Sequence, residues 1–268
     1  MKREMIPRVV TAAVGIPLLI LVIGWGSAGH FSLLVFLVTL GGLREYFSIV
    51  FPNQWKEQTL GIFYGVVVSL GIFIPGVPGP QVWLGIVVII VFSSYLCFGG
   101  KLDERYNHLG WTLLGILYVG YLVPHLVILY RLPHGREWIV FLLLVVMTGD
   151  TAAYFVGTFM GRRKLSPEIS PGKTVEGVLG AFAVSALAGL IGAKFLLPAL
   201  PLSKVFPLIV AFSFLGQTGD LFESWIKRAF GVKDSGAVLP GHGGLLDRID
   251  SLIFPAVFAA YYVKLVYS

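Results

Sequence analysis

Long apolar blocks broken by short polar joints make up most of the chain. A bilayer core is crossed by about 20 mostly apolar residues in helical form. On that length the pattern predicts spans at 9–25, 31–51, 59–74, 81–98, 110–130, 138–160, 175–196, 205–225 and 249–266. The first and third are the shortest. Each is read as a helix because lipid offers no partner for a backbone N–H or C=O, so those groups must pair within the segment. The expected fold is therefore an all-α integral membrane protein, a polytopic bundle of about nine transmembrane helices forming a single membrane domain over 1–268. The first apolar block follows MKREMIPR and has the look of a signal peptide. The many spans after it favour an uncleaved first helix.

Trp25, Trp55, Trp83, Trp111, Trp138 and Trp225 all fall at or near a predicted span end, where amphipathic rings collect at the membrane surface. Composition strengthens the membrane reading. The chain is 56% hydrophobic and only 13% charged, whereas a soluble protein carries about 25% charged residues. The net charge of +6 does not point to nucleic acid, because basic residues in a multi-pass protein gather in cytoplasmic loops beside anionic lipid. With the N-terminus inside, the outer side keeps only Arg131, Arg136, Lys194, Lys204 and Lys264 of the 20 basic residues. The expected location is the inner, cytoplasmic membrane, with the N-terminus and the polar site on the cytoplasmic side. Cys97, alone in an apolar run, excludes an intramolecular disulfide framework and a cysteine metal motif. It is expected to be buried.

An ionisable group within a span costs at least about 2.5–3.5 kcal/mol, so Asp150, Asp220 and Glu223 stand out. Asp220, Glu223, Ser224 and Lys227 follow i, i+3, i+4, i+7 spacing, which puts them on one helix face. Asp247 and Asp250 repeat the i, i+3 step as the last span begins. Along the stretch from Asp220 to Asp250, Lys227, Arg228, Lys233 and Arg248 supply cations for phosphate oxygens. Gly241, Gly243 and Gly244 remove side chains so that backbone can approach a ligand, and His242 can donate to phosphate or take a proton. Asp220, Asp247 and Asp250 offer the hard oxygen ligands that Mg²⁺ prefers. A solvated loop that only enforced topology would need neither the glycines nor the three aspartates.

A second polar cluster follows the sixth span. Asp150, Thr151 and Tyr154 share a face, and Thr148-Gly149-Asp150 is echoed by Thr218-Gly219-Asp220. Lys173-Thr174 after Gly172 looks like the end of a P-loop, but residue 167 is Pro where that motif needs Gly, and no strand is predicted before it. The expectation is a basic loop with Thr174 as N-cap of the next span and Glu176 favouring that helix N-terminus. The polar regions are thus mainly 148–177 and 217–250.

Ser224, Lys227-Arg228, Lys233-Asp234, Gly236, Leu239-Pro240, His242-Gly243-Gly244, Asp247-Arg248 and Asp250 resemble the signature of the phosphatidate cytidylyltransferases, the CDP-diacylglycerol synthases. Residues 150–157 and 170–177 also resemble that family. The resemblance implies transfer of CMP from CTP to phosphatidic acid, with release of pyrophosphate and a requirement for Mg²⁺, and leaves room for a second cation. Asp220, Asp247, Lys227 and Arg228 would be catalytic, with Asp220, Asp247 and Asp250 holding metal. Ser224, Lys233, Asp234, His242, Gly243, Gly244, Arg248, Lys173 and Asp150 would bind substrate. The expected partners are CTP, phosphatidic acid and membrane lipids but no nucleic acid, and a homodimer is compatible with the sequence. A CTP-dependent polyprenol kinase, an ether-lipid cytidylyltransferase and, from another class, a transporter with Asp150 and Asp220 as coupling sites are the competing readings.

Overall fold

The computed structural model describes residues 2–74, 76–97, 102–236, 238 and 243–267, with side chains from residue 13 onward except that of residue 103. The helices are α1 (Lys2–Gly24), α2 (Ala28–Val50), α3 (Trp55–Phe73), α4 (Pro80–Cys97), α5 (Leu102–Gly115), α6 (His125–Arg131), α7 (Gly135–Met160), α8 (Val175–Leu196), α9 (Leu202–Ala229) and α10 (Asp250–Tyr267). A π-helical segment, Ile116–Leu122, joins α5 to α6. Among the described residues, seven helical runs are long and apolar enough to cross a membrane, with Glu104–Arg131 counting as one run. The two predicted spans outside that set are the first and third, the shortest in the sequence. The protein is all-α and multi-pass, as the hydrophobic pattern predicts.

Two boundaries differ from the sequence reading. Helix α9 continues to Ala229, past the predicted span end at residue 225, so Arg228 joins Lys227 as a helical residue. Where a basic loop is expected after α7, the chain forms an antiparallel hairpin of β1 (Lys164–Ser166) and β2 (Ser170–Thr174). Pro167 and Pro171 restrict the backbone toward extended and turn geometry there, which propensity within an apolar chain did not reveal.

Cα packing groups the chain into two units. One comprises Met1–Ile128 with Asp234–Leu246, the other Leu129–Lys233 with Asp247–Ser268. In the first, small residues let helices touch. A Cβ at Gly61 would stand 2.5 Å from the Phe47 ring, and one at Gly120 would stand 2.8 Å from the Cα of Gly65. Tyr46 is fully buried and donates to the Trp111 carbonyl at 3.0 Å. In the second, α7 and α8 run against each other through Gly149, Gly180, Gly189 and Gly192. Ser185 of α8 donates to the Val145 carbonyl of α7 at 2.7 Å. Small residues plus an interhelical hydrogen bond are what membrane helices use, because lipid is as apolar as a leucine and supplies no hydrophobic drive.

Burial corrects two expectations. Cys97 is exposed, because only 11% of the α4 span window is covered by protein and its apolar face is left for lipid. Trp138 is fully buried and packs edge-on against Phe141 and Tyr262. It is a core residue, whereas Trp25 and Trp55, 80% and 68% exposed, keep the open position expected at an interface.

Candidate functional site

The site is built in the second unit, beginning at the hairpin. Thr174 ends β2 in extended geometry (φ −127°, ψ 154°) and caps α8, its Oγ1 accepting from the Gly177 N–H at 3.1 Å. The N-cap expectation holds. Glu176 does more than favour a helix end. Its carboxylate accepts from the backbone N–H groups of Arg162 and Arg163 at 3.0 and 3.1 Å, stitching the first turn of α8 to the entry of the hairpin. Alternation along β2 turns Lys173 the opposite way from Thr174. Lys173 Nζ reaches Asp220 Oδ2 on α9 at 3.0 Å and the Gln217 carbonyl at 3.4 Å.

Asp150 on α7 joins the same wall. Its Oδ2 accepts from Ser251 Oγ of α10 at 2.8 Å and its Oδ1 from Gln217 Nε2 of α9 at 3.3 Å. The two echoed Thr-Gly-Asp stretches therefore deliver their aspartates to one place. Asp150, Tyr154, Lys173, Gln217 and Asp220, with Gly157, Gly172 and Gly177, line a cavity of about 360 Å³, within the range of small-molecule sites. Gly177 is glycine because a Cβ there would press on the Ala153 carbonyl at 2.8 Å and the Gly157 Cα at 3.2 Å. Thr151, grouped with Asp150 in the sequence, is exposed and hydrogen-bonds back to the Met147 carbonyl.

The next turns of α9 continue the polar stripe, as the spacing predicts. Ser224 Oγ lies 3.4 Å from Asp220 Oδ1. Lys227 Nζ lies 2.5 Å from Glu223 Oε2 and 2.6 Å from Asp247 Oδ1. All three charged groups are nearly closed to the surface, with Glu223 side-chain exposure at 1%, so one ammonium serves two carboxylates. Helix α10 is laid against α9 at glycines: a Cβ at Gly216 would stand 3.3 Å from the Ser251 carbonyl, and one at Gly219 would collide with that of Asp250. Asp250 accepts from the Ser251 N–H at 2.7 Å, at the helix end where a carboxylate is favoured.

Asp220, Asp247 and Asp250 do not form a ready three-carboxylate cage; among the described residues no group of three His, Cys, Asp or Glu is close enough to hold a metal. Asp220 and Asp247 instead each face a lysine. Arg228, Lys233 and Arg248 are exposed and do not line the cavity, and Arg228 Nη1 donates to the Val232 carbonyl at 2.9 Å.

Asp234, Gly243 and Gly244 belong to the first unit; His242 and Gly241 lie outside the described residues. Asp234 is exposed, and Gly243 takes a positive φ of 79°. At Gly244 a Cβ would strike Ser235 Oγ and come within 2.7 Å of Glu45 Oε2, so packing against these groups by itself calls for glycine. Glu45, on α2, is 4% exposed and, among the described residues, accepts from Ser235 Oγ at 3.0 Å and from the Leu245 and Leu246 N–H groups at 2.8 Å each. Sequence reasoning passed over Glu45 and Gln217. The cost of a carboxylate in an apolar span would have flagged Glu45, and the place of Gln217 one turn before Asp220 would have flagged it too.

The cytidylyltransferase family profile matches residues 6–266. A phosphatidate cytidylyltransferase of Bacillus subtilis is 32% identical over 260 residues, covering 93% of this chain and 90% of that protein. One of Staphylococcus saprophyticus is 37% identical over 198 residues, 71% of this chain and 75% of the relative. One of Brucella suis is 44% identical over 160 residues, 56% and 58% respectively. With a match spanning nearly its whole length, and with its polar motifs gathered on α7, the hairpin, α9 and α10, the chain belongs to the cytidylyltransferase family.

Proposed function

We propose that the protein transfers CMP from CTP to phosphatidic acid, giving CDP-diacylglycerol and pyrophosphate. The observation that carries this reading is the Lys173–Asp220 pair at the wall of a cavity between membrane-spanning helices, in a chain whose relatives bear that activity in their names. A phosphate monoester must meet the α-phosphorus of a nucleotide, so two anions are brought together. Such transfers depend on positioning and on neutralising charge.

In this reading Lys173 releases Asp220 and turns to phosphate as substrate enters. Asp150 holds Gln217 and Ser251 in place, which fixes the relation of α7, α9 and α10 around the cavity. Lys227 keeps Asp247 in one orientation and offsets one of the two carboxylate charges it faces. The exposed Arg228, Lys233 and Arg248 draw the triphosphate toward the membrane surface. The attacking phosphate is already ionised near neutral pH, so no strong general base is needed.

The carboxylate chemistry of the site fits Mg²⁺, which takes one or two protein carboxylates and leaves the rest of its coordination to water and phosphate. Asp220 and Asp247 would hold it, with Asp250 in support; bound there, it would neutralise charge on the transferring phosphoryl group. The site faces the cytoplasm in this proposal, because Arg162, Arg163, Lys164, Lys173, Lys227, Arg228, Lys233 and Arg248 all fall on the joints assigned to the inner side.

Purified protein incubated with labelled CTP, phosphatidate and Mg²⁺ tests the reading directly. CDP-diacylglycerol and pyrophosphate are expected. Release of CDP with a phosphorylated lipid would assign a kinase, and no CTP turnover would overturn the proposal.

A further inference from the structure

Glu45 is a buried carboxylate far in sequence from every residue assigned above, and its partners are unusual. A carboxylate inside an apolar helix is normally neutralised by a cation or hydrated. Among the described residues, this one is held by a hydroxyl and two consecutive backbone N–H groups, those of Ser235, Leu245 and Leu246. Gly236 and Gly244 crowd the same oxygens, each with a virtual Cβ 2.7 Å from one of them. Any side chain at either position would push the carboxylate away. The two ends of the 235–246 segment are thus tied to one point on α2.

We infer that Glu45 is a positioning residue for the transfer reaction, acting through Asp247. Leu246, whose N–H it holds, is joined by a peptide bond to Asp247, whose carboxylate meets Lys227. Two fixed consecutive amides leave that aspartate little freedom to swing. A loop held only by its sequence ends would let Asp247 sample many orientations; pinning the preceding residues places it beforehand. The inference rests on the proposed cytidylyl transfer for its catalytic meaning, while the grip itself has a readout of its own.

The test compares Glu45→Gln, Glu45→Asp and Ser235→Ala in detergent-solubilised full-length protein, reading amide hydrogen exchange at 243–247 together with kcat and KM for CTP. An amide can accept from one N–H but turns a donor toward the other. Glu45→Gln should therefore speed exchange at Leu245 and Leu246 and lower kcat by about 10- to 100-fold, with KM for CTP changed far less. Glu45→Asp should recover part of both, because it restores an acceptor at shorter reach. Ser235→Ala removes the hydroxyl donor and should shift both readouts several-fold.

Faster exchange with kcat within twofold of wild type would overturn the inference, as would lost turnover with exchange unchanged. Where Glu45→Gln fails to fold, Ser235→Ala decides by the same criteria. If wild-type protein shows no cytidylyl transfer, the functional proposal fails instead; unaltered exchange in the Glu45 variants would then separately refute the grip.

Discussion

Lys227 is one ammonium shared by two carboxylates, and that imbalance makes its loss and the loss of Glu223 unequal. Its Nζ is 2.5 Å from Glu223 and 2.6 Å from Asp247, with side-chain exposures of 11%, 1% and 12% for the three groups. Lys227→Met keeps the length of the stem and deletes the charge, leaving two carboxylates together with little water. Breaking a buried ion pair from one side costs about 3–5 kcal/mol, so the variant should lose that much unfolding free energy. Glu223→Gln keeps the shape and leaves a balanced Lys227–Asp247 pair, so its stability should stay within about 1 kcal/mol of wild type. Adding Glu223→Gln to Lys227→Met should return part of the loss, since one uncompensated carboxylate remains instead of two. Denaturant titration in mixed micelles, followed by far-ultraviolet circular dichroism, measures all three. Equal losses in the two single variants, or a double variant no more stable than Lys227→Met, would refute the charge-imbalance argument. CTP turnover, measured alongside, should fall in every variant lacking Lys227 even where stability is restored.

Lys173→Met should lower kcat/KM for CTP by about 100-fold, roughly the worth of one charged contact to phosphate. Its stability should change by less than about 1 kcal/mol, because the pair with Asp220 is partly open to the surface; unchanged turnover would remove Lys173 from the site. For Asp220→Asn, the Mg²⁺ concentration giving half-maximal rate should rise at least about tenfold, since a metal held by one or two carboxylates loses a principal ligand. An identical Mg²⁺ titration excludes Asp220 as a ligand. Gly177→Ala should cost about 1–3 kcal/mol through overpacking against the α7 backbone, read in the same unfolding assay, and a loss under about 0.5 kcal/mol would show that the helices separate easily.

Much of the site was legible because helix geometry is local. Once α9 is helical, i, i+3, i+4 and i+7 spacing alone puts Asp220, Glu223, Ser224 and Lys227 on one face, and the structure shows Ser224 beside Asp220 and Lys227 beside Glu223. Thr174 was legible as a cap for the same reason. The basic residues were harder, because charge suited to phosphate says nothing about direction. Lys173 reaches into the cavity, whereas Arg228 turns to a loop carbonyl. Gly244 was harder still, because a glycine records only that something comes close; one neighbour is Glu45, some 200 residues earlier in the chain.

By itself the sequence determined that this protein lives in a membrane, roughly where its long apolar helices run, and which stretches carry phosphate chemistry. Hydrophobic length and local periodicity decide those things. The tertiary structure alone decided which apolar faces meet protein and which meet lipid, and both solvents suit a leucine equally, so hydropathy could not place Cys97 or Trp138. It alone decided the partners of the buried charges as well. Lys173 with Asp220, Lys227 with Asp247 and Glu45 with Leu246 are pairings between distant segments. Such a pairing forms only where packed backbones bring two groups within about 3 Å, a condition no short window of sequence contains.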